Sequence, residues 1–162
     1  MKKTAYYFII VYLMLGCQNL EFKHKKDISL FEIAKKIHSK VIVLDTHNDF
    51  DLKNFTDSIN YSQNTRSKVN IPKMVKGGLD VSWLIVYTGQ GELNKNGYKK
   101  AAINAQAKFD AINRLVYDYA PNKIGLATTS KEVESLVKLG KKVAMIGVEN
   151  AYPIGEDLNE IR

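Results

Sequence analysis

Two hydrophobic patterns alternate along this chain. Short continuous apolar runs read as buried strands, and stretches with apolar residues every three or four positions read as amphipathic helices. Ser29-Leu30-Phe31-Glu32 has the form of a capping box, and Leu30, Ile33, Ala34 and Ile37 follow at helical spacing. A helix over 29–38 is predicted. Val41-Ile42-Val43-Leu44 then runs into Asp45-Thr46-His47-Asn48-Asp49, which predicts a fully buried strand over 41–45 with a polar end. Residues 50–70 are polar and predict a long loop, the kind of segment that often serves function. Asn70-Ile71-Pro72 opens a short helix that Gly77-Gly78 ends. Asp80 to Thr88 is the second buried strand. Tyr98 to Tyr119 predicts a long helix whose apolar face is Ala105, Phe109, Ile112, Val116 and Tyr119, and Ala120-Pro121-Asn122 stops it. Ile124 to Ala127 reads as a short strand. Thr129-Ser130-Lys131-Glu132 is a second capping box, opening a helix to about Leu139 with Gly140 as its C-cap. Lys142 to Val148 is another buried strand, with Glu149 at its end, and Glu156 to Arg162 reads as the start of a further helix.

Buried strands alternating with helices predict an α/β fold with a parallel sheet and right-handed crossovers. Chemistry in such folds sits at the C-terminal ends of the strands. His47, Asp49 and Glu149 all fall there. In extended backbone, residues two apart point to one side. His47 and Asp49 would project together, and one imidazole nitrogen with one carboxylate oxygen can share a cation at roughly 2.0–2.2 Å. Taken by themselves these residues also fit a plain turn after a strand and a loop or capping carboxylate at Glu149. His38, at a helix end, suits the helix dipole, and His24 lies in a polar stretch; neither is assigned to a metal.

The beginning of the chain changes the picture of where it works. Met1-Lys2-Lys3 is basic, Ala5 to Leu15 is apolar, and Gly16-Cys17 follows at once. That is the layout of an export signal, and the apolar run is too short to span a bilayer. Met14-Leu15-Gly16-Cys17 resembles a bacterial lipobox, with Met where Leu is usual, so Cys17 is the candidate lipidation site. An ordinary cleaved signal with an incidental Cys17 is the alternative. The layout expected is a signal over 1–17, a polar tether over 18–27 and a folded domain over 28–162. The protein is then exported and held at the membrane by a lipid, facing the periplasm or the cell surface. Cys17 is the only cysteine, which excludes an internal disulfide.

Composition is globular, with 45% hydrophobic and 25% charged residues. The net charge of +7 comes from scattered lysines rather than an arginine-rich stripe, so no nucleic-acid partner is expected. Gly89-Gln90-Gly91 and Gly77-Gly78 lack phosphate-loop form and read as turns. Trp83 fits a buried strand better than a stacking platform.

Four blocks then act together: Asp45-Thr46-His47-Asn48-Asp49; Val69-Asn70-Ile71-Pro72-Lys73-Met74-Val75-Lys76-Gly77-Gly78; Val81-Ser82-Trp83-Leu84-Ile85-Val86-Tyr87; and Ile146-Gly147-Val148-Glu149-Asn150 through Asp157-Leu158. In this order and spacing the chain resembles the membrane dipeptidase (renal dipeptidase) family, peptidase family M19, over about 28–162. The resemblance implies the N-terminal part of a metal-dependent (β/α)8 TIM barrel. It implies hydrolysis of dipeptides at a two-zinc site, and a homodimer in the complete enzyme. It matches His47 and Asp49 to ligands of one zinc and Glu149 to the carboxylate that bridges both. Ala151 stands where relatives commonly carry glycine. Two further zinc-binding histidines and an acidic proton-handling residue are expected beyond the glutamate strand, where this chain has no residue to carry them; all three of its histidines precede residue 48.

A full barrel takes about 250 residues, and the stretch after Asp27 is little more than half of that. The chain is therefore expected to be the N-terminal portion of such an enzyme, inactive by itself and a poor binder of zinc. Two alternatives stand beside this reading. One is a non-catalytic surface lipoprotein derived from such an enzyme. The other is an amidohydrolase-type metal hydrolase, which would usually carry histidine where Asp49 stands.

Overall fold

The computed structural model describes residues 30–161. These divide between two units, 30–41 and the residues from Ile42 onward. In the first, helix α1 covers 30–38. Ser29 of the predicted capping box, the signal over 1–17 with Cys17, and the tether lie outside the described residues. Among the described residues no helix is long and apolar enough to cross a membrane.

The second unit is built on four parallel strands: β1 (Leu44–Asp49), β2 (Val81–Tyr87), β3 (Ile124–Leu126) and β4 (Lys142–Glu149). Helices α2 (Ile71–Gly77), α3 (Lys95–Arg114) and α4 (Ser130–Lys138) lie between them in sequence. The strands run in the order β1-β2-β4-β3. β2 pairs along its whole length with β4, from Val81 opposite Val143 to Tyr87 opposite Glu149. β3 meets only the beginning of β4, where Ile124 pairs with Lys142.

That order puts the two longer helices on opposite faces. Going from β2 to β3 the chain steps outward across β4; going from β3 to β4 it steps back. Right-handed crossovers in opposite directions place their helices on opposite sides of a sheet. The packing agrees. Ala105, Ile112 and Leu115 pack with Leu84, Val86 and Ala144. Val133, Leu136 and Val137 of α4 pack with Val81, Trp83, Val143 and Met145, which alternate with the first set along β2 and β4. Gly125 permits the close approach of α4: a Cβ there would meet Leu136 Cδ2 at 2.6 Å.

Caps set the helix boundaries. The Asn70 side chain accepts from the Lys73 amide, and Gly78 closes α2 at φ 72°. The capping box of Thr129 and Glu132 opens α4. α3 begins three residues before the predicted start because Asn94 accepts from the amides of Asn96 and Gly97. Its last turn widens to a π-turn over Leu115–Tyr119. The predicted helix from Glu156 is a 3-10 turn over Leu158–Ile161.

Two expectations change. The first strand does not cover 41–45. It covers Leu44–Asp49, and Leu44 is 55% exposed while Asn48 is buried. β1 pairs with β2 alone and leaves its other edge unpaired among the described residues, so a run that reads as a central strand sits at a sheet edge. The polar stretch 50–70 is not structureless either. It folds over an aromatic stack, Phe50 to Phe55 at 4.7 Å and Phe55 to Tyr61 at 4.4 Å, with Asn60 and Asn70 buried.

One carboxylate ties the strand starts together. Asp80 Oδ2 accepts from the Val43 amide at 3.0 Å, and Oδ1 accepts from Lys142 Nζ at 2.9 Å, with both side chains mostly shielded. Truncating it strands a shielded ammonium and an amide donor. Asp80→Ala should cost about 2–4 kcal/mol of unfolding free energy. Urea denaturation checks this, and a cost below about 0.5 kcal/mol would show that the pair is incidental.

Candidate metal centre

β1 carries its chemistry inside the strand. The ladder is irregular between Asp45 and Asn48, where the His47 amide donates to Asp45 Oδ1 at 3.0 Å. Beyond that point the alternation is regular. Asn48 turns under the sheet and donates to Ser82 Oγ at 2.9 Å in a buried contact. His47 and Asp49 therefore emerge together on the opposite face. Asp49 pairs with Ile85, and Ile85 pairs with Gly147 on its other side, so β1 and β4 are level across β2. Glu149 stands two residues past Gly147 on that same face.

The gap to be closed is two strand spacings, roughly 10 Å. Long side chains on both outer strands close it over Ile85. Gly147 adds nothing to the height of the sheet there; a Cβ would meet Ile85 Cδ1 at 2.7 Å. His47 Nε2 comes 3.2 Å from Glu149 Oε2 and 3.7 Å from Asp49 Oδ1. The three donor atoms all lie within 4.8 Å of one another, and all three residues are solvent-exposed. Donors around a tetrahedral zinc at about 2.1 Å are roughly 3.4 Å apart. The two nitrogen–oxygen separations bracket that value, so this set of one imidazole and two carboxylates fits a zinc-sized cation with small side-chain adjustments. His24 lies outside the described residues.

A cavity of about 580 Å³ adjoins the cluster, lined by Asp49, Asp51, Tyr61, Arg66 and Lys108 among others. Lys108 is the residue that sequence reasoning missed. It is buried, its ammonium donates to the Phe50 carbonyl at 3.2 Å, and it lies 5.0 Å from the centre of the Phe50 ring. Burial pulls its pKa below the usual lysine value, and the charges of Asp49, Asp51 and Glu149 work in the other direction. A signal was present: Ala101, Ala105, Lys108 and Ile112 form a helical stripe, and all four are buried. A lysine inside such a stripe faces the core.

The loop after β2 supports the rim. Asn150, at φ 66°, donates through Nδ2 to the Thr88 carbonyl at 3.1 Å. Tyr152 donates from its hydroxyl to the Glu92 carbonyl at 2.7 Å and meets the Tyr98 ring edge-on. These contacts hold the turn that follows Glu149 against α3.

Comparison with known proteins places this architecture. Residues 31–162 match the family model described as membrane dipeptidase, peptidase family M19. Among solved structures the chain is similar to that of the probable dipeptidase PvdM from Pseudomonas aeruginosa, with a TM-score of 0.75 and 19% sequence identity over 82% of this chain. The chain spans about a third of that structure's length, 34%. No curated protein matches. The parallel α/β sheet is thus similar to part of a dipeptidase barrel, and the chain belongs to the membrane dipeptidase family, peptidase family M19.

Proposed function

We propose that the chain carries one side of a zinc centre that hydrolyses dipeptides, with His47, Asp49 and Glu149 as ligands. One observation supports it above the rest. Three donors of the right chemistry, from strands about a hundred residues apart in sequence, meet at one point on the C-terminal edge of the sheet. Family membership supplies the substrate class, and the resemblance supplies a pair of zinc ions.

In this reading each residue has its own task. His47 and Asp49 hold a cation from one strand, which fixes their relative geometry through the backbone. Glu149 has two carboxylate oxygens and reaches in from β4, so it would be the group able to contact two cations at once. Asn48 keeps the strand from rotating by its buried bond to Ser82. Zinc held by these residues would supply Lewis-acid chemistry, activating water and polarising a scissile carbonyl. The cavity beside Asp49 gives a dipeptide room next to the cluster.

The same reading places the protein outside the cytoplasm, anchored through a lipid on Cys17, with a homodimer as the assembly of the complete enzyme. It also sets a limit. The resemblance calls for two further histidines, and the chain has none after His47. Three exposed ligands give weak binding, and turnover by this chain alone is not expected.

Three measurements test this. Competition against a chromophoric chelator should detect zinc binding by the chain, weakened more than about tenfold by His47→Ala or Glu149→Gln. Equal affinity in wild type and both variants would remove these residues from the ligand set. Incubating the zinc-loaded chain with a simple dipeptide should release no amino acids, and measurable turnover would overturn the stated limit. Expressed in a bacterial host with labelled palmitate, the chain should take up label and Cys17→Ser should not; label retained in the variant would reject the anchor.

A further inference from the structure

Lys108 sits on α3 within the stripe that faces the sheet, 8% exposed. A buried ammonium is costly unless it is compensated. Among the described residues no carboxylate comes within 4.0 Å of it to form an ion pair. Its contacts are of another kind. Nζ donates to the Phe50 carbonyl at 3.2 Å and lies against the Phe50 ring. Phe50 directly follows Asp49. One side chain from α3 thus holds the end of β1 twice, by its backbone and by its ring. The Phe50 ring is itself fixed by Phe55, which packs on Tyr61. A methionine would fill the same apolar stripe without burying a charge, so packing alone does not account for a lysine there.

We propose that Lys108 is a positioning residue for the metal centre: through the Phe50 carbonyl it fixes the end of β1 and so the direction of the Asp49 carboxylate. This rests on the zinc reading above. Two effects of Lys108 on a bound cation oppose each other. Its positive charge repels the cation, and its hydrogen bond preorganises a ligand. The ligands are exposed to solvent, so water and salt screen the repulsion. The hydrogen bond is internal and is not screened in that way. Groups that orient metal ligands from outside the coordination sphere typically change affinity by about 10–100-fold. Anchoring therefore outweighs repulsion, and removing Lys108 weakens binding.

The test is zinc affinity by chelator competition on the full chain as wild type, Lys108→Met and Lys108→Arg, with circular dichroism and thermal melting on each. Lys108→Met should retain the fold and bind zinc about tenfold more weakly. Lys108→Arg, which keeps a cationic donor, should stay within about threefold of wild type. A role confined to stability would lower the melting temperature of Lys108→Met and leave affinity unchanged, and a role confined to charge would tighten binding; either result overturns the proposal. If Lys108→Met does not fold, Lys108→Gln replaces it, because it removes the charge and shortens the reach to the carbonyl, and the same tenfold threshold applies. Failure of the wild type to bind zinc removes the zinc reading and this inference with it. Zinc binding by the wild type that the folded variants leave unweakened removes this inference alone.

Discussion

Everything at the C-terminal edge depends on the strands being level, and a hydrogen-bonded carboxylate at the opposite edge helps to keep them so. Asp80 accepts from the residue that leads into β1 and from the first residue of β4, and it immediately precedes β2. The backbone repeats the connection: the Val81 amide donates to the Val43 carbonyl, and the Val143 amide donates to the Asp80 carbonyl. A slip of one residue in either pairing would turn the affected side chains to the other face. His47 and Asp49 would face α3, or Glu149 would. The distance between the ligands is thus governed largely by register at the far end of the sheet.

The reversal of strand order has its own logic. β3 is three residues long and touches only the beginning of β4. It leaves the C-terminal half of β4, including Glu149, without a neighbour on that side among the described residues. α4 packs on the N-terminal half of the ligand-bearing face, over Val81 and Val143, and so closes the sheet below the site without covering it. One face is then divided by function, with apolar packing at its base and ionisable groups at its rim.

Much of this was legible in the sequence, and the exceptions have physical causes. Helix caps and turn glycines act locally, so Asn70, Thr129 and Gly140 could be read directly. The strand content followed from apolar runs, because both faces of β2 and most of β4 are covered. β1 was misplaced because the same kind of run sits at an edge, and edge or centre is decided by partners far away in sequence. The positions of His47, Asp49 and Glu149 at strand ends were legible; the approach of their donor atoms to within 4.8 Å of one another is a matter of register, which the sequence does not display. Lys108 escaped because a single charge in a helix reads as surface unless the stripe is counted through it.

Strand order also bears on how the molecule assembles. β3, α4 and β4 are consecutive and close a short loop, whereas β2 meets β4 only across about sixty residues. Loop-closure entropy and contact order favour the local unit forming first and β1–β2 docking on it afterwards. His47 and Asp49 belong to the late half, and Glu149 belongs to the early one. The ligands meet in the last long-range step of sheet formation, so a cation that bridged them would reinforce the pairing of greatest sequence separation in the sheet and couple metal capture to its completion.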